Sequence, residues 1–547
     1  GESGVLQGLA GKTSGVNITK SSGDPGAGAY IQIRGANSIS GSDEPLIVLD
    51  GVLIDNRNFE SGVDGVTEQS RLNDIASEDI ASIQIYKGAQ AVAIYGTGAA
   101  NGVIVIETKT GKSSGSSWSL DYKTGIYVDT VNREWDLQSK FGQGNNGAYD
   151  QSASTSYGDK ISDRSGAADG VIIGDQRFES RDGRIYYPYA DRVDGSVDKN
   201  SQAVYLKSNR DAILGTGYSF ENSLSLQKST ENGSTYISAN SWKQNGVIKG
   251  GSDYYRRSFR FNNSTKFDEK LSGRISANYT KTTADQVQFG SNLNGLYLGY
   301  LRTPADFDNS AYIGTAYNAA GTPTLNAQRG YRNFLGPIPT YNNPLWTANE
   351  QSNTTSVDRF LITPELTYKF NENISVTARY NVDTYRDKRE QFFPVNSATN
   401  EGSGEGVFSS NHIFSNSQYL TGFINSNHAI SEDFTFNWVL GATYEERSLE
   451  QVGGTLSRFQ VTDIDLNDLI DLSNGLPEDI SIFDNYSYSK QVGSYAVLDF
   501  EIFNQVLIQA SGRVDQSSTL PGQSFYYPGI AAGWKFTEAI GESDILS

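Results

Sequence analysis

The residue types that most often carry out chemistry are sparse in this chain. Its 547 residues include no cysteine and only two histidines, His412 and His428. Without cysteine there is no disulfide, thiolate nucleophile or thiolate metal ligand, and no spacing in the sequence gives either histidine partners for a metal site or a Ser-His-Asp triad. Although 63 acidic residues are present, nothing singles out a pair for glycoside hydrolysis. We therefore expect no metal site, no cofactor and no enzyme activity.

Two segments look like binding loops at first sight. Gly96 to Gly102, GTGAANG, has the glycine content of a phosphate-binding loop, but no Gly-Lys-Ser/Thr is present and no helix is expected after it. We predict a hairpin there. Asp463 to Asp471, DIDLNDLID, begins like a calcium loop, yet position 6 is Asp468 instead of glycine and position 12 is Asn474 instead of glutamate. A short packed loop is the better interpretation.

Aromatic residues in long polar segments are stronger candidates for binding. Flat rings can stack on sugar faces or hold peptide side chains while neighbouring Asp and Asn supply hydrogen bonds. The alternative is that these rings only pack the loops together or onto a partner. The candidates are Trp135, Tyr186, Tyr187, Tyr189, Trp346 and Tyr526.

Composition restricts the class of protein further. The net charge of −19 argues against nucleic acid as a partner, because a phosphate backbone requires a basic surface. The hydrophobic fraction is 37% and no long apolar run is present, so the sequence predicts no transmembrane helix. A closed β-barrel remains compatible, because its strands alternate lipid-facing and lumen-facing side chains. The aromatic content of 12% suits the aromatic girdles of such a barrel.

The N-terminal region predicts a small α/β domain. Runs at Ile83 to Tyr86 and Val103 to Thr108 bracket a glycine-rich connection, and two further apolar runs, Ala29 to Gly35 and Pro45 to Val52, precede them. Five segments of this region carry motifs in a fixed order: Leu6 to Val16 (LQGLAGKTSGV), Ile31 to Gly35 (IQIRG), Pro45 to Val52 (PLIVLDGV), Asp79 to Lys87 (DIASIQIYK) and Ala93 to Lys109 (AIYGTGAANGVIVIETK).

These motifs resemble, in order and spacing, the plug domain of SusC-like (SusC/RagA) TonB-dependent outer-membrane transporters. The sequence departs from the family at Gly98, where the family usually has arginine, and at Gly88, where aspartate is commoner. The plug-motif residues that the resemblance marks are Arg34, Gly35, Asp50, Gly51, Lys87, Tyr95, Gly96, Asn101 and Gly102.

From Trp118 onward, side chains alternate with a period of two. Apolar residues at 374, 376, 378, 380 and 382 alternate with polar residues, and the residues from 434 to 444 do the same. Segments of about ten residues with this pattern are long enough to cross a bilayer when tilted. We predict about twelve strands, near 118–128, 215–228, 234–245, 255–267, 271–283, 358–370, 374–387, 418–430, 434–446, 490–503, 506–516 and 526–537.

Short turns alternate with long segments between these strands. The long ones are predicted at 129–214, 284–357, 388–417 and 447–489, a layout typical of outer-membrane barrels with periplasmic turns and extracellular loops. Because barrels that enclose a plug have about 22 strands, we expect further strands, which are either missing from this sequence or supplied by another chain. Position 1 falls directly at a motif that in the resembled family follows a signal sequence, a small β-sandwich extension and a TonB box, so the resemblance implies an incomplete N-terminus as well. The predicted fold is an all-β transmembrane barrel with an N-terminal α/β plug: residues 1–112 form the plug, 113–117 a linker and 118–547 the first part of the barrel.

The resemblance implies a function and partners. It implies a location in the bacterial outer membrane and TonB-dependent import of oligosaccharides or peptides, with a SusD-like lipoprotein as a lid and outer-membrane lipid around the barrel. It also implies a dimer of transporter and lid pairs. The alternative is a non-transporting scaffold of the same fold that anchors surface lipoproteins. No cofactor is implied.

Overall fold

The computed structural model describes residues 11, 13–35, 43–56, 65–67, 69–87, 94–111, 117–193, 197–289, 292–332, 336, 338–398, 404–462 and 470–536. Residues 6–10 and 12 of the first plug motif, residues 113–116 of the predicted linker and residues 463–469 lie outside these residues. Within them, no helix is long and apolar enough to cross a membrane.

The N-terminal domain contains two small sheets. Strand β3 pairs parallel with β6 and antiparallel with β4, and β5 pairs antiparallel with β6, which gives the order β4-β3-β6-β5. The four strands expected here are confirmed, and two short ones add to them. The strands are β1 (Val16–Lys20), β2 (Ala29–Ile33), β3 (Leu46–Leu49), β4 (Val52–Leu53), β5 (Ile80–Tyr86) and β6 (Val103–Thr108), with 3-10 helices at Arg71–Asp74, Ser77–Asp79 and Thr97–Asn101.

The core of this domain is apolar and lies between its own strands. Ile31, Ile47, Ile75, Ile104 and Ile106 are all buried and pack into one cluster. Each short strand carries branched side chains, which favour extended backbone and fill this core. The hairpin predicted around Gly96 to Gly102 is formed by the consecutive antiparallel strands β5 and β6, and a 3-10 helix lies in their connection. Gly96 and Gly102 have φ of 75° and 94° and bound that helix on either side.

The remaining described elements follow in chain order. In the first barrel section they are β7 (Ser119–Asp129), β8 (Gly144–Asn145), β9 (Ala148–Tyr149), β10 (Arg177–Ser180), β11 (Ile185–Tyr186), α1 (Leu206–Ile213), β12 (Gly217–Thr230), β13 (Gly233–Asn245), β14 (Asp253–Lys266) and β15 (Leu271–Asp285). Then come α2 (Leu296–Arg302), β16 (Ile313–Tyr317), β17 (Pro323–Gln328), α3 (Pro344–Glu350), β18 (Ser352–Lys369), β19 (Ile374–Phe393), β20 (Val407–Ser431), β21 (Phe434–Leu456), β22 (Ile480–Ile502), β23 (Val506–Ser517) and β24 (Phe525–Trp534). Short 3-10 helices lie at Ile161–Asp163, Leu472–Asn474 and Pro477–Asp479.

Twelve of these strands form one antiparallel sheet, in the order β24-β23-β22-β21-β20-β19-β18-β15-β14-β13-β12-β7. This confirms the predicted strands and the barrel fold class. The period of two separates the faces: Leu120 and Ile126 are 65% and 69% exposed, whereas Arg260 and Arg359, on inward-facing positions, are fully buried against the N-terminal domain. The small domain therefore lies against the inner face of the sheet, as a plug.

Several strands run further toward the loop side than the sequence predicts. The ladder between β20 and β21 pairs Phe408 with Leu456, and that between β21 and β22 continues to Ile480. The predicted loops 388–417 and 447–489 shorten to 394–406 and 457–479. The prediction missed these extensions because outside the bilayer the outward residues need not be apolar, while the backbone ladder continues unchanged.

Candidate functional site

The turn after β3 binds the barrel through Asp50. Asp50 and Gly51 have φ of 50° and 85°, and this turn buries the Asp50 carboxylate. Its oxygens accept hydrogen bonds from the Thr108 backbone N–H at 2.9 Å and the Thr108 hydroxyl at 2.8 Å within the plug. From the barrel they accept the Ser276 hydroxyl at 3.0 Å and Arg274 Nη2 at 3.1 Å. One carboxylate thus closes the plug turn and docks it against β15.

Asp79 makes an equivalent contact with β13. It ends the 3-10 helix before β5 and is fully buried. Its carboxylate accepts hydrogen bonds from Tyr236 Oη at 3.1 Å, Ser238 Oγ at 2.6 Å and Asn240 Nδ2 at 3.0 Å, and Arg260 Nε lies 3.5 Å away. Because the three donors alternate along one strand, they all face the plug and surround a single anion.

Arg359 forms the centre of a third contact. This buried arginine of β18 donates to both carboxylate oxygens of Asp383 on β19, at 2.9 and 2.6 Å. The same guanidinium donates to the plug carbonyl oxygens of Arg71 at 2.7 Å and Asp55 at 2.8 Å. Asp74 of the plug lies 3.5 Å from it. The planar guanidinium joins two barrel strands and two plug segments at once.

Other barrel arginines bind plug carbonyl oxygens in the same way. Arg379 donates to Gly51 O at 2.8 Å, Arg256 to Asn73 O at 2.7 Å and Arg513 to Ile94 O at 2.7 Å. The plug and barrel thus meet through charged and hydrogen-bonding groups, whereas the apolar clusters of the plug lie mostly within it. Polar groups can exchange such partners for water, which makes this interface suitable for repeated separation.

A cavity of about 310 Å³ lies between the plug and β20 to β23. Tyr95 and Gly98 of the plug line it on one side. Tyr419, Glu445 and Arg447 line it from the barrel, and Arg447 is paired with Glu445. The mixture of rings and charged groups can bind a polar ligand that also has apolar faces.

One buried carboxylic acid of the plug is outside the membrane-spanning strands. Asp24 accepts a hydrogen bond from Ser252 Oγ at 3.1 Å in the connection between β13 and β14. Burial raises the pKa of Asp24 to about 7, and hydrogen bonds from Ser252 and the Val287 backbone only partly offset this. Within the described part of the chain, its Oδ2 has no hydrogen-bond partner. Asp24 therefore holds a proton over part of the neutral pH range.

The structure brings three of the predicted aromatic residues together. Tyr186, Tyr187 and Tyr189 lie half-buried in the loop assembly built on the sheet β11-β10-β16-β17. The Arg329 guanidinium stacks over the Tyr186 ring at 3.8 Å, and Lys199 Nζ donates to Tyr189 Oη at 2.9 Å. Tyr186 and Tyr189 thus help to pack the loops, while ligand contact by any of the three stays a prediction.

The other three aromatic candidates lie in separate places. Trp346 is completely buried in α3 and its Nε1 donates to Ser397 Oγ at 3.0 Å, so it packs loops and offers no free ring surface. Tyr526 is 74% exposed, but it pairs with Val514 and shares the outward face of the sheet with Ile530, away from the plug. Trp135 is also 74% exposed, on the connection after β7. Among these three, Trp135 alone keeps an accessible ring on a loop.

The plug-motif residues lie mainly in turns that face the barrel or close the plug. Arg34 and Gly35 form an exposed turn with φ of 61° and 90°, and Lys87 Nζ binds the Ser14 carbonyl oxygen. Asn101 and Gly102 end the 3-10 helix before β6. A Cβ on Gly96 would lie 2.7 Å from Asp515 Oδ2, which shows how closely this turn approaches the barrel.

Sequence reasoning missed most of the barrel side of this interface. The residues are Arg256, Arg260, Arg274, Arg359, Arg379, Asp383 and Arg513. A signal was present: the four arginines on β14, β18 and β19 occupy the inward phase of strands whose outward phase includes aromatic residues such as Phe259, Phe360 and Tyr380. Of the two histidines, His428 Nδ1 lies 3.1 Å from Asn373 Nδ2 near a short turn, and His412 is on the outward face opposite Lys388.

Comparison with known proteins supports the resemblance to TonB-dependent receptors. Residues 2–103 match the family model described as the TonB-dependent Receptor Plug Domain. The chain is 28% identical over 542 residues to TonB-dependent receptor P26 of Formosa agariphila. This alignment covers 98% of this chain and 47% of that protein. It is also 39% identical over 131 residues to TonB-dependent receptor SusC of Bacteroides thetaiotaomicron, an alignment that covers 24% of this chain and 12% of SusC. The chain therefore contains a TonB-dependent receptor plug domain and is similar to SusC-like TonB-dependent receptors.

Solved structures show the same fold. The RagAB peptide importer in its closed-closed state superposes with a TM-score of 0.73 and 18% identity, over 99% of this chain and 57% of that one. Its open-open state gives a TM-score of 0.72 and 18% identity, over 99% and 56%. This SusC-like chain thus spans about half the length of P26 and of the RagAB chain. The plug-domain match and the similarity to TonB-dependent receptors confirm the predicted location in the bacterial outer membrane.

Proposed function

We propose that this receptor imports oligosaccharides or peptides across the outer membrane, driven by TonB. The observation that carries the proposal is the polar interface between plug and barrel, centred on Asp50, Asp79 and Arg359. Each such hydrogen bond to a charged group contributes only about 1.5–3 kcal/mol net, because water replaces the lost partner. A plug held this way stays closed at rest and can be displaced by a pulling force without exposing its own core.

The cavity beside Tyr95 supports binding of a polar cargo near the plug. Tyr419 supplies a second ring, and Glu445 and Arg447 supply groups that can bind hydroxyls, amides or chain termini. Both oligosaccharides and peptides have this combination of polar groups and flat or aliphatic faces. The aromatic residues on the loops, above all Trp135, would make earlier contacts with cargo.

The proposed partners are TonB, which pulls from the periplasmic side, and a SusD-like lipoprotein that covers the extracellular mouth. RagAB, whose fold the chain shares, is described as a peptide importer with closed-closed and open-open states. By analogy we propose that two receptors and two lids assemble. Import, rather than catalysis, is the proposed activity.

A reversible cross-link between plug and barrel tests the proposal. Thr108 of the plug accepts a hydrogen bond from Asn262 Nδ2 of the barrel at 2.8 Å, and the absence of native cysteine gives a clean background. In the full-length receptor, T108C/N262C should abolish cellular uptake of its peptide or oligosaccharide cargo when oxidised and restore it on reduction. The matched control S234C/S264C joins two barrel strands at a pair whose hydroxyls are 2.9 Å apart, and should import in both states.

The scaffold alternative predicts a different result. If the receptor only anchors surface lipoproteins, oxidised T108C/N262C would retain its bound lipoproteins and function, and loss of TonB would change nothing. Uptake that continues through the oxidised plug would likewise contradict the proposal.

A further inference from the structure

The outward face of the barrel carries a group of cations on its extracellular side. Inward and outward positions alternate along each strand, and Arg256 and Arg359 face the plug, so their neighbours Arg257 and Asp358 face away from it. Residues directly opposite each other in the ladder share a face. By this rule the outward-facing cations are Lys243, Arg257, Lys281, Arg386 and Lys388, here called the basic rows.

The register aligns these cations in two adjacent rows. Arg257 lies opposite Lys281, Lys281 opposite Asp358, and Asp358 opposite Arg386. The second row lies two residues along each strand from the first, on the side away from the short turns. It begins at Lys243 on β13 and ends at Lys388 on β19. The basic rows therefore cross β13, β14, β15, β18 and β19 on the loop side.

An aromatic row lies next to the basic rows, on the side toward the short turns. Phe259 lies opposite Tyr279, and Tyr279 opposite Phe360. These rings are 50%, 44% and 41% exposed on the outer surface. Aromatic side chains of barrels concentrate where the hydrocarbon ends. The basic rows thus lie at the depth of the lipid headgroups of the outer leaflet.

Carboxylates of the protein neutralise these cations only in part. Lys281 pairs with Asp358 at 2.5 Å, and Lys388 pairs with Glu390 at 2.8 Å. Over the ranges that the structure describes, Lys243, Arg257 and Arg386 form no ion pair with a carboxylate. Arg257 lies over the Tyr255 ring at 4.3 Å, and Arg386 lies 5.7 Å from the Phe414 ring centroid.

This surplus of positive charge is confined to a small part of the surface. The first two rows contain five cations and one carboxylate, Asp358, in a chain of net charge −19. Asp253 and Asp285 lie opposite each other one row further out, and the aromatic row lies on the opposite side, so the cationic surface is bounded on both sides. Three strand spacings separate Arg257 from Arg386, roughly 14 Å. This width fits two phosphate groups of one headgroup better than a single small anion.

We propose that the basic rows bind the headgroup of an outer-leaflet glycolipid that carries two phosphates. Arg257 and Arg386 supply planar guanidinium groups that form paired hydrogen bonds with phosphate, and Lys243 and Lys388 add charge above them. The aromatic row packs against the sugar and acyl chains beneath the headgroup. This site is separate from the cargo cavity and does not depend on import.

Native mass spectrometry of the full-length receptor in detergent tests this site. The probes are bisphosphorylated lipid A, its monophosphorylated form and inorganic phosphate. We expect the receptor to retain bisphosphorylated lipid A, and R257Q/R386Q to weaken its apparent affinity by about tenfold. R257K/R386K should bind between the two, because the charge remains but the paired hydrogen bonds to phosphate are lost. The control K228Q/K490Q removes two outward cations elsewhere on the sheet and should bind as the unmodified receptor does.

Each remaining outcome would overturn the proposal. Unchanged lipid retention by R257Q/R386Q would show that these arginines do not bind it. Equal retention of the monophosphorylated lipid would exclude a site for two phosphates, and displacement by millimolar inorganic phosphate alone would indicate a simple anion site. Heat-dependent mobility of the variants on gels verifies that the barrel remains folded.

Discussion

At the scale of single residues, Asp79 is a fully buried carboxylate that accepts three hydrogen bonds from the barrel. Removing its carboxylate in Asp79→Ala leaves Tyr236, Ser238, Asn240 and Arg260 without their shared acceptor. We expect this change to weaken plug docking by about 3–5 kcal/mol, because buried polar groups lose their partner. Hydrogen exchange of β5 measures the effect. Asp484 lies on the outward, exposed face, so the control Asp484→Ala should leave the hydrogen exchange of β5 unchanged. Equal hydrogen exchange in the two variants would contradict the role of Asp79.

Gly98 gives a second prediction at this scale. It lines the cavity beside Tyr95, its φ is not positive, and a Cβ there would touch only the Leu46 side chain at 3.2 Å. Gly98→Arg, which restores the residue usual in the family, should therefore fold but fill the cavity. We expect cargo affinity to fall by about tenfold, or about 1.4 kcal/mol, measured by titration calorimetry. Gly98→Ala serves as the control, and unchanged affinity in the arginine variant would exclude this cavity as the binding site.

At the scale of elements, the contact between the plug and the connection after β13 should depend on pH. The folded-state pKa of Asp24 is raised to about 7, above the value near 3.9 of a free carboxyl. The docked state thus binds the proton more tightly, and its stability is greatest below pH 4 and falls as the pH rises through 7.

Hydrogen exchange of residues 21–28, corrected for intrinsic rates, measures this dependence. We expect protection to decrease between pH 5 and pH 8 in the unmodified receptor and to stay constant in Asp24→Asn, which cannot ionise. A pH dependence that persists in Asp24→Asn would assign the effect to another group.

At the scale of the whole molecule, the two domains should lose structure separately. Plug strands are short, at four residues in β3 and six in β6, whereas β20 and β21 have 25 and 23 residues and pair along most of their length. Since the plug meets the barrel through polar contacts, moderate urea should expose β3 and β6 to hydrogen exchange while β20 and β21 remain protected. Simultaneous exchange of both would show that plug and barrel form one cooperative unit.

The sequence by itself determined the class of this protein and the positions of its strands. Alternation with a period of two is a local property, so segments such as 374–382 revealed a half-apolar strand, and the plug motifs marked turns whose backbone needs Gly51 or Gly102. The prediction failed where the local signal ends, at the polar extensions of β20 to β22. Tertiary structure alone decided which charges meet. Asp79 and Ser238, and Arg359 and Asp55, are far apart in sequence, and only the packing of the plug against the inner face of the sheet brings each pair within hydrogen-bond distance.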